Sequence, residues 1–347
     1  VNPHTVFPDL VGDLAPLDGD PIALGVQLQY DSLDNVQVNP LSPEPGRADT
    51  LYDRAGNDRL ISGGGDDHLY ATRGGDDVLD AGAGRDYADG GDGHDVISGG
   101  ADSDILVGGA GNDRLYADTA ISAADAIALG NKQPGSGLKG DWLAGGSGDD
   151  TLVGSAGNDV LSGGGGYDLL IGGAGDDDLL GDSDWVATSF EWTVTDLAIG
   201  IRDFRPVDAF PAIDAADVIY AGEGNDHAWG GGGNNVLFGE GGDDILYGWI
   251  GNDLLIGGTG DDTLDGDEGQ DIYIFNRGDG HDTVYDSVAE HNIFRFGAGI
   301  SSSDITLRLG SLMLDLGSGD AVHIQDFNQN DVFNSSSIDR FEFEDGT

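Results

Sequence analysis

Nineteen side chains in this chain recur at a spacing suited to binding a hard cation. Aspartates fall at Asp58, Asp67, Asp77, Asp86, Asp95, Asp104 and Asp113, then at Asp141, Asp150, Asp159, Asp168 and Asp177. A third run holds Asp217, Asp226, Asn235, Asp244, Asp253, Asp262 and Asp271. The step is nine within each run, except for ten between Asp67 and Asp77. Glycines crowd the residues before each aspartate, as in Gly145-Gly146-Ser147-Gly148-Asp149-Asp150. Carboxylates and closely approaching main-chain carbonyls are oxygen donors, and calcium takes six to eight of them in flexible geometry. Glycine allows the backbone angles that bring such carbonyls close.

A large aliphatic residue follows two positions after most of these aspartates. The row reads Leu60, Leu69, Leu79, Ala88, Ile97, Leu106, Leu115; Leu143, Leu152, Leu161, Leu170, Leu179; Ile219, Ala228, Leu237, Leu246, Leu255, Leu264. Tyr273 takes the place after Asp271. A glycine-rich disordered linker would share the composition. It would have no reason to place an aliphatic residue every nine positions. Each unit therefore divides into a six-residue turn and a short strand whose central side chain points inward. Turns with substituted positions, such as Asp102 for a glycine or Asn235 for an aspartate, are expected to bind or pack less well.

The unit G-G-x-G-x-D-x-U-x resembles the nonapeptide of the RTX (repeats-in-toxin) haemolysin-type calcium-binding proteins. The resemblance extends over nearly everything after residue 53. It implies an all-β fold, a right-handed parallel β-roll in which two nonapeptides make one coil, with two extruded loops and a C-terminal β-rich cap. Like turns then stack every eighteen residues. In that family each ion bridges two successive turns on one edge. The ligands there are the sixth-slot aspartate and carbonyls of the glycine-rich turn. Here that points to all the aspartates named above, with carbonyls at Gly145, Ser147, Gly154, Ala156, Gly163, Gly165, Gly172, Ala174, Gly241, Gly257 and Thr259. About ten calcium ions are expected.

The rest of the chain positions this array. Residues 1–52 are proline-rich, and the alternating stretch Ile22 to Leu28 suggests a strand that caps the first coil. Repeat blocks occupy 53–115, 141–181 and 215–271. Between them, 116–140 contains a short helical pattern capped by Ser122, and 182–214 holds an aromatic, alternating stretch from Trp185 to Val194 that reads as a hairpin. The spacings across both breaks leave one roll or three short rolls open. Residues 272–347 resemble the β-rich segment that ends such arrays, with strand patterns at Ile305–Leu309, Leu312–Leu316, Val322–Ile324 and Arg340–Phe343.

The chain of 347 residues carries 65 acidic and 14 basic side chains, a formal charge of -51. Nucleic acid and anionic membrane surfaces are poor partners for it. Without a cation so many carboxylates repel one another, so metal binding is expected to drive folding. There is no cysteine and no transmembrane-length apolar run. The resemblance implies a secreted or cell-surface, monomeric protein that leaves a Gram-negative bacterium through a type I secretion apparatus. No zinc-protease, nucleophile-elbow or phosphate-loop motif occurs, so no catalytic role is assigned to this chain. The histidines His68, His94, His227 and His281 read as turn residues, and the five tryptophans as packing residues rather than sugar-stacking platforms. A surface or matrix polysaccharide is a candidate partner through such stacking.

Three roles compete. The chain is a calcium-binding folding and secretion module, a stiff spacer of a biofilm or adhesin-type surface protein, or an accessory module of an exported lipase, protease or alginate epimerase. An ice-binding row would need outward threonines in the third slot. Thr259 is the only one there.

Overall fold

Alternation decides the fold. In the segment Val78–Ala83, Leu79 and Ala81 are buried while Val78 and Asp80 face outward. The same alternation recurs in nearly every repeat, so each strand offers one apolar face. The computed structural model describes residues 26–30, 36–40, 48–130, 138–182, 215–286, 291–308, 312–325 and 338–344. Successive strands are laid alternately on two sheets, one of 12 strands and one of 14, and neighbours within each sheet pair in parallel through the repeats. This is a right-handed parallel β-roll of about eleven turns.

Register follows the period. Leu152 pairs with Leu170, and Leu161 with Leu179. The extra residue between Asp67 and Asp77 is absorbed outside the strands, since Leu60 still pairs with Leu79 and Leu79 with Ile97. Pairing also crosses both breaks. Leu106 pairs with Leu143, Leu115 with Leu152, Leu170 with Ile219 and Leu179 with Ala228. The described repeat strands between residues 53 and 271 therefore form one continuous roll rather than three short ones.

Inside, the aliphatic row makes a single core that runs from Leu51 to Ile338. Leu69, Leu106, Leu161, Leu237 and Leu255 have no exposed surface. Each such leucine contributes roughly 1.5–3 kcal/mol by burial. Ala88 and Ala228 occupy the same row and are equally buried.

The two sheets continue beyond Asp271. Strands Ile272–Phe275, Asn292–Phe296 and Ile338–Glu342 extend one sheet; His281–Tyr285 and Asp320–Ile324 extend the other. There the aliphatic row gives way to Tyr273, Phe275, Phe294 and Phe296, all fully buried. Thr306–Arg308 and Leu312–Gly317 then pair antiparallel and close that sheet.

Two other segments bear on the expectations above. Val26–Tyr30 pairs antiparallel with Val36–Pro40 in a separate two-stranded sheet. The helix Ala123–Gly130 starts where Ser122 accepts the Asp125 amide and donates its hydroxyl to the Asp125 carboxylate, a reciprocal N-terminal cap. This helix covers the outer face of one sheet, with Ala126 packed against Tyr116, Val153 and Ile171. The hairpin expected around Trp185 to Val194, the Gly-Ser chain at 131–137, and Trp185 and Trp192 themselves lie outside the described residues.

Candidate calcium-binding edges

The roll stacks the sixth-slot residues into two rows, one on each edge. One row runs Asp58, Asp77, Asp95, Asp113, Asp150, Asp168, Asp217, Asn235, Asp253, Asp271. The other runs Asp67, Asp86, Asp104, Asp141, Asp159, Asp177, Asp226, Asp244, Asp262. In both rows, from Asp67 and Asp77 onward, the Oδ1 of each residue accepts the backbone amide of its counterpart one coil earlier. The Asp113 amide, for example, reaches Asp150 Oδ1 at 2.7 Å. This geometry requires an acceptor oxygen, which explains why Asn235 preserves the row: its Oδ1 accepts the Asp217 amide at 2.8 Å.

The second carboxylate oxygen is used differently. Oδ2 of Asp67, Asp77, Asp86, Asp95, Asp104, Asp113, Asp150, Asp168, Asp177, Asp217, Asp244, Asp253 and Asp262 is buried with no hydrogen-bond partner. A buried acceptor without a donor is costly, and a buried charge more so. In the turns that open with glycine, these oxygens face that glycine. A Cβ on Gly145 would collide with Asp150 Oδ2 and lie 2.6 Å from the Gly163 carbonyl oxygen of the next coil. Gly90, Gly99, Gly108, Gly163, Gly172, Gly239 and Gly248 repeat this arrangement with carbonyls of Gly108, Ala117, Gly145, Gly181, Ala221, Gly257 and Gly266. Each of these eight turns thus holds a small cradle, open only because its first residue is glycine, into which a carboxylate oxygen and a main-chain carbonyl point.

Third-slot carbonyls serve the coil-to-coil bonding. Ser147, Gly165, Gly241 and Thr259 accept the amides of Gly111, Gly148, Gly224 and Gly242. Among the described residues no three His, Asp or Glu side chains converge on one point. A cation held here therefore draws its ligands from both carboxylates and carbonyls. Those donors are all oxygen, and the orphaned Oδ2 atoms are the chemistry calcium requires. Asp95, Asp104, Asp113, Asp150, Asp168, Asp177, Asp244 and Asp253, with their slot-one cradles, fit that ion.

Other turns differ. Asp53, Ser62, Ala81, Ala117 and Ala221 stand where a slot-one glycine would, before Asp58, Asp67, Asp86, Asp141 and Asp226. Their side chains occupy the cradle, and Ser62 uses its hydroxyl to bond the Ala81 carbonyl at 2.7 Å. In the turn Gly154 to Asp159, whose sequence looks regular, Ser155 donates its amide to Asp159 Oδ2 at 2.6 Å. Arg54 does the same to Asp58 at 2.9 Å. At Asp271 the cradle of Gly266 contains the Tyr273 hydroxyl, which accepts the Gly266 amide at 2.8 Å.

Two sets of residues escaped the sequence reading. Asp282 accepts the Asp262 amide at 3.2 Å, and its Oδ2 is buried without a donor, so it continues the second row. Its step of twenty from Asp262 hid it, although Gly280 and Val284 keep the glycine and aliphatic spacing. The fifth slot carries an outer ladder: the amides of Asp76, His94 and Asn112 reach side chains of Asn57, Asp76 and His94 at 3.0, 3.1 and 2.7 Å. Asn225, Asp243, Asp261 and His281 form a similar run on the other edge. The abundance of Asn and Asp in that slot was the available signal. Of the tryptophans, Trp142 and Trp229 are buried with Val160 and Leu180 on the outer face of one sheet. His227 lies beside Asp178 there.

Electrostatics favours a counter-charge on both edges. Burial pushes the carboxyls of Asp77, Asp86, Asp95, Asp168, Asp253 and Asp262 up to about 7, and those of Asp150 and Asp217 to about 8. Asp104 and Asp282 rise to about 9 and Asp244 to about 10, with burial first and neighbouring aspartates adding to it. Asp141 and Asp177 are also raised, by burial and then by the charges of Asp159 and Asp226 respectively. The desolvated carboxylates are stable only when protonated or neutralised by a cation.

No curated protein matches the chain. The model of the RTX calcium-binding nonapeptide repeat matches residues 46–76, 73–106, 98–119, 137–170, 153–184, 213–246, 220–255 and 247–284. These segments cover more than half of the chain and coincide with the coils just described. Stacked nonapeptides, paired edges of buried aspartate and oxygen-lined cradles agree with that match: the chain belongs to the RTX calcium-binding nonapeptide repeat family.

Proposed function

We propose that this chain is the calcium-dependent folding module of an exported bacterial protein. In low calcium it stays extended and passes through a type I secretion channel. In extracellular calcium it closes into the rigid roll. The observation that carries this reading is the double row of buried aspartates, in which Oδ2 of Asp95, Asp104, Asp113, Asp150, Asp168 and others has no hydrogen-bond donor. Folding must desolvate those carboxylates, and a divalent cation is what offsets that cost outside the cell. Binding energy is then folding energy. Extracellular calcium modules work near 10⁻⁴–10⁻³ M, roughly the concentration step such a protein would cross on export.

The test is far-UV circular dichroism of the full chain during a calcium titration from excess chelator. The expected course is coil-like to β-rich through the sub-millimolar to millimolar range. Magnesium should substitute poorly, because it demands octahedral geometry and retains its water. A β-rich spectrum in excess chelator at neutral pH would overturn the reading.

A further inference from the structure

The second excursion leaves the roll from inside a turn. A Cβ on Gly181 would meet Asp217 Oδ2 and the Gly230 carbonyl, the pair of partners that regular slot-one glycines meet. A Cβ on Gly233 would meet the Ala215 carbonyl, as slot-four glycines elsewhere meet their predecessors. Gly181 and Asp217 are therefore slots one and six of a single split turn. Slots two and three are where the chain departs, and the residue at slot two is Asp182.

In regular coils a carbonyl stands beneath the slot-two glycine of the next coil, Gly109 beneath Gly146 and Gly173 beneath Gly222. Beneath Gly231 the Asp182 side chain takes that place: a Cβ on Gly231 would lie 2.7 Å from the Cβ and Oδ2 of Asp182. The Asp182 carboxylate accepts the Gly232 amide at 2.5 Å and is 1% exposed. Its charge is felt at both Asp168 and Asp217. The turn it faces, Gly230 to Asn235, is the one whose row residue is an amide instead of a carboxylate. A negative charge missing at 235 is thus supplied at 182. Independently of that acidic grouping, Asp217 Oδ2 is fully buried, has no hydrogen-bond partner and points into the cradle of Gly181.

We propose that Asp182 is a cation ligand. With the Asp217 carboxylate and the Gly230 carbonyl it builds a divalent-cation site between the split turn and the Asn235 turn. It takes the place of the carbonyl that stands beneath other slot-two glycines, and of the charge lost at Asn235. The mixed carboxylate and carbonyl donors select calcium over magnesium. This site rests on the reading that the array binds calcium, and the two fail separately in the following experiment.

The full chain is equilibrated with calcium by dialysis, and bound ions per chain are counted for wild type, Asp182→Asn and Asp182→Asn/Asn235→Asp. The single variant should bind one ion fewer, and the double variant should recover it. A wild type that binds no calcium removes the array reading itself. A wild type that binds calcium while Asp182→Asn binds equally many, with equal affinity, overturns the Asp182 site alone. If Asp182→Asn does not become β-rich at saturating calcium, the double variant decides. Recovery of both the fold and the full ion count supports the site, and failure to recover either overturns it.

Discussion

The two oxygens of Asp150 do different work, and Asp150→Asn separates them. Oδ1 accepts the Asp113 amide, a role an amide oxygen also fills, as Asn235 demonstrates. Oδ2 faces the Gly145 cradle without a donor. The substitution therefore keeps the coil-to-coil bond and removes the charge. With calcium present the expected loss is one ion. At ten- to hundredfold excess over the dissociation constant, that ion contributes about 1.4–2.7 kcal/mol. In chelator the sign reverses. The Asp150 carboxyl is pushed up to about 8 by burial, from an ordinary 3.8. Folding at pH 7 without a cation requires it to take up a proton, at about 1.4 kcal/mol per pH unit over some three units, roughly 4 kcal/mol. Asparagine avoids that cost. Asp150→Asn should thus lower the urea midpoint in millimolar calcium, yet raise the pH at which the calcium-free chain becomes β-rich. Both are read by far-UV circular dichroism. Equal destabilisation with and without calcium would refute the argument, because the carboxylate would then be only a hydrogen-bond acceptor.

Asp159→Asn should raise the calcium midpoint less than Asp150→Asn, since Ser155 already donates to Asp159 Oδ2; equal shifts in parallel titrations would show that this bond does not survive calcium binding. Acid should partly replace calcium. The row carboxyls have folded values raised to about 6–10, so the folded state holds more protons, and the calcium-free roll loses stability as pH rises from about 4 through that range. The chelated chain should therefore gain β structure on acidification below about pH 6, and calcium added to that acid-folded state should displace protons measurable by pH-stat. Leu161→Ala opens a cavity in a fully buried row and should cost about 2–5 kcal/mol in calcium, seen as a lower urea midpoint with an unchanged ion count.

The period alone made the strands and core legible, because an aliphatic residue every nine positions leaves only one inward face. It also stacked Asp168 on Asp150 along one edge, though not Asp150 on Asp113, because across a break the register depends on how much chain lies between the coils. The cradles were less legible. Ala81 and Ala221 look like harmless replacements of glycine, yet their Cβ atoms stand where a carboxylate and a carbonyl converge. Ser155 sits in a turn that reads as regular, and only its backbone direction shows that it satisfies Asp159. Asp182 belongs, by sequence, to the excursion. It enters a turn only because Gly181 and Asp217, far apart in the chain, close that turn together.

The bonding along the edges gives the rod unlike ends. In the buried rows every amide is received by the coil that follows it, ending with Asp271 on Asn292 and Asp262 on Asp282. In the exposed fifth-slot ladder the amide is received by the coil before. Cutting away the first coil leaves a solvent-facing amide that water can serve. Cutting after a late coil strands a buried amide, at about 1–3 kcal/mol for each edge. The roll is a polar filament, frayed cheaply from one end and held shut from the other.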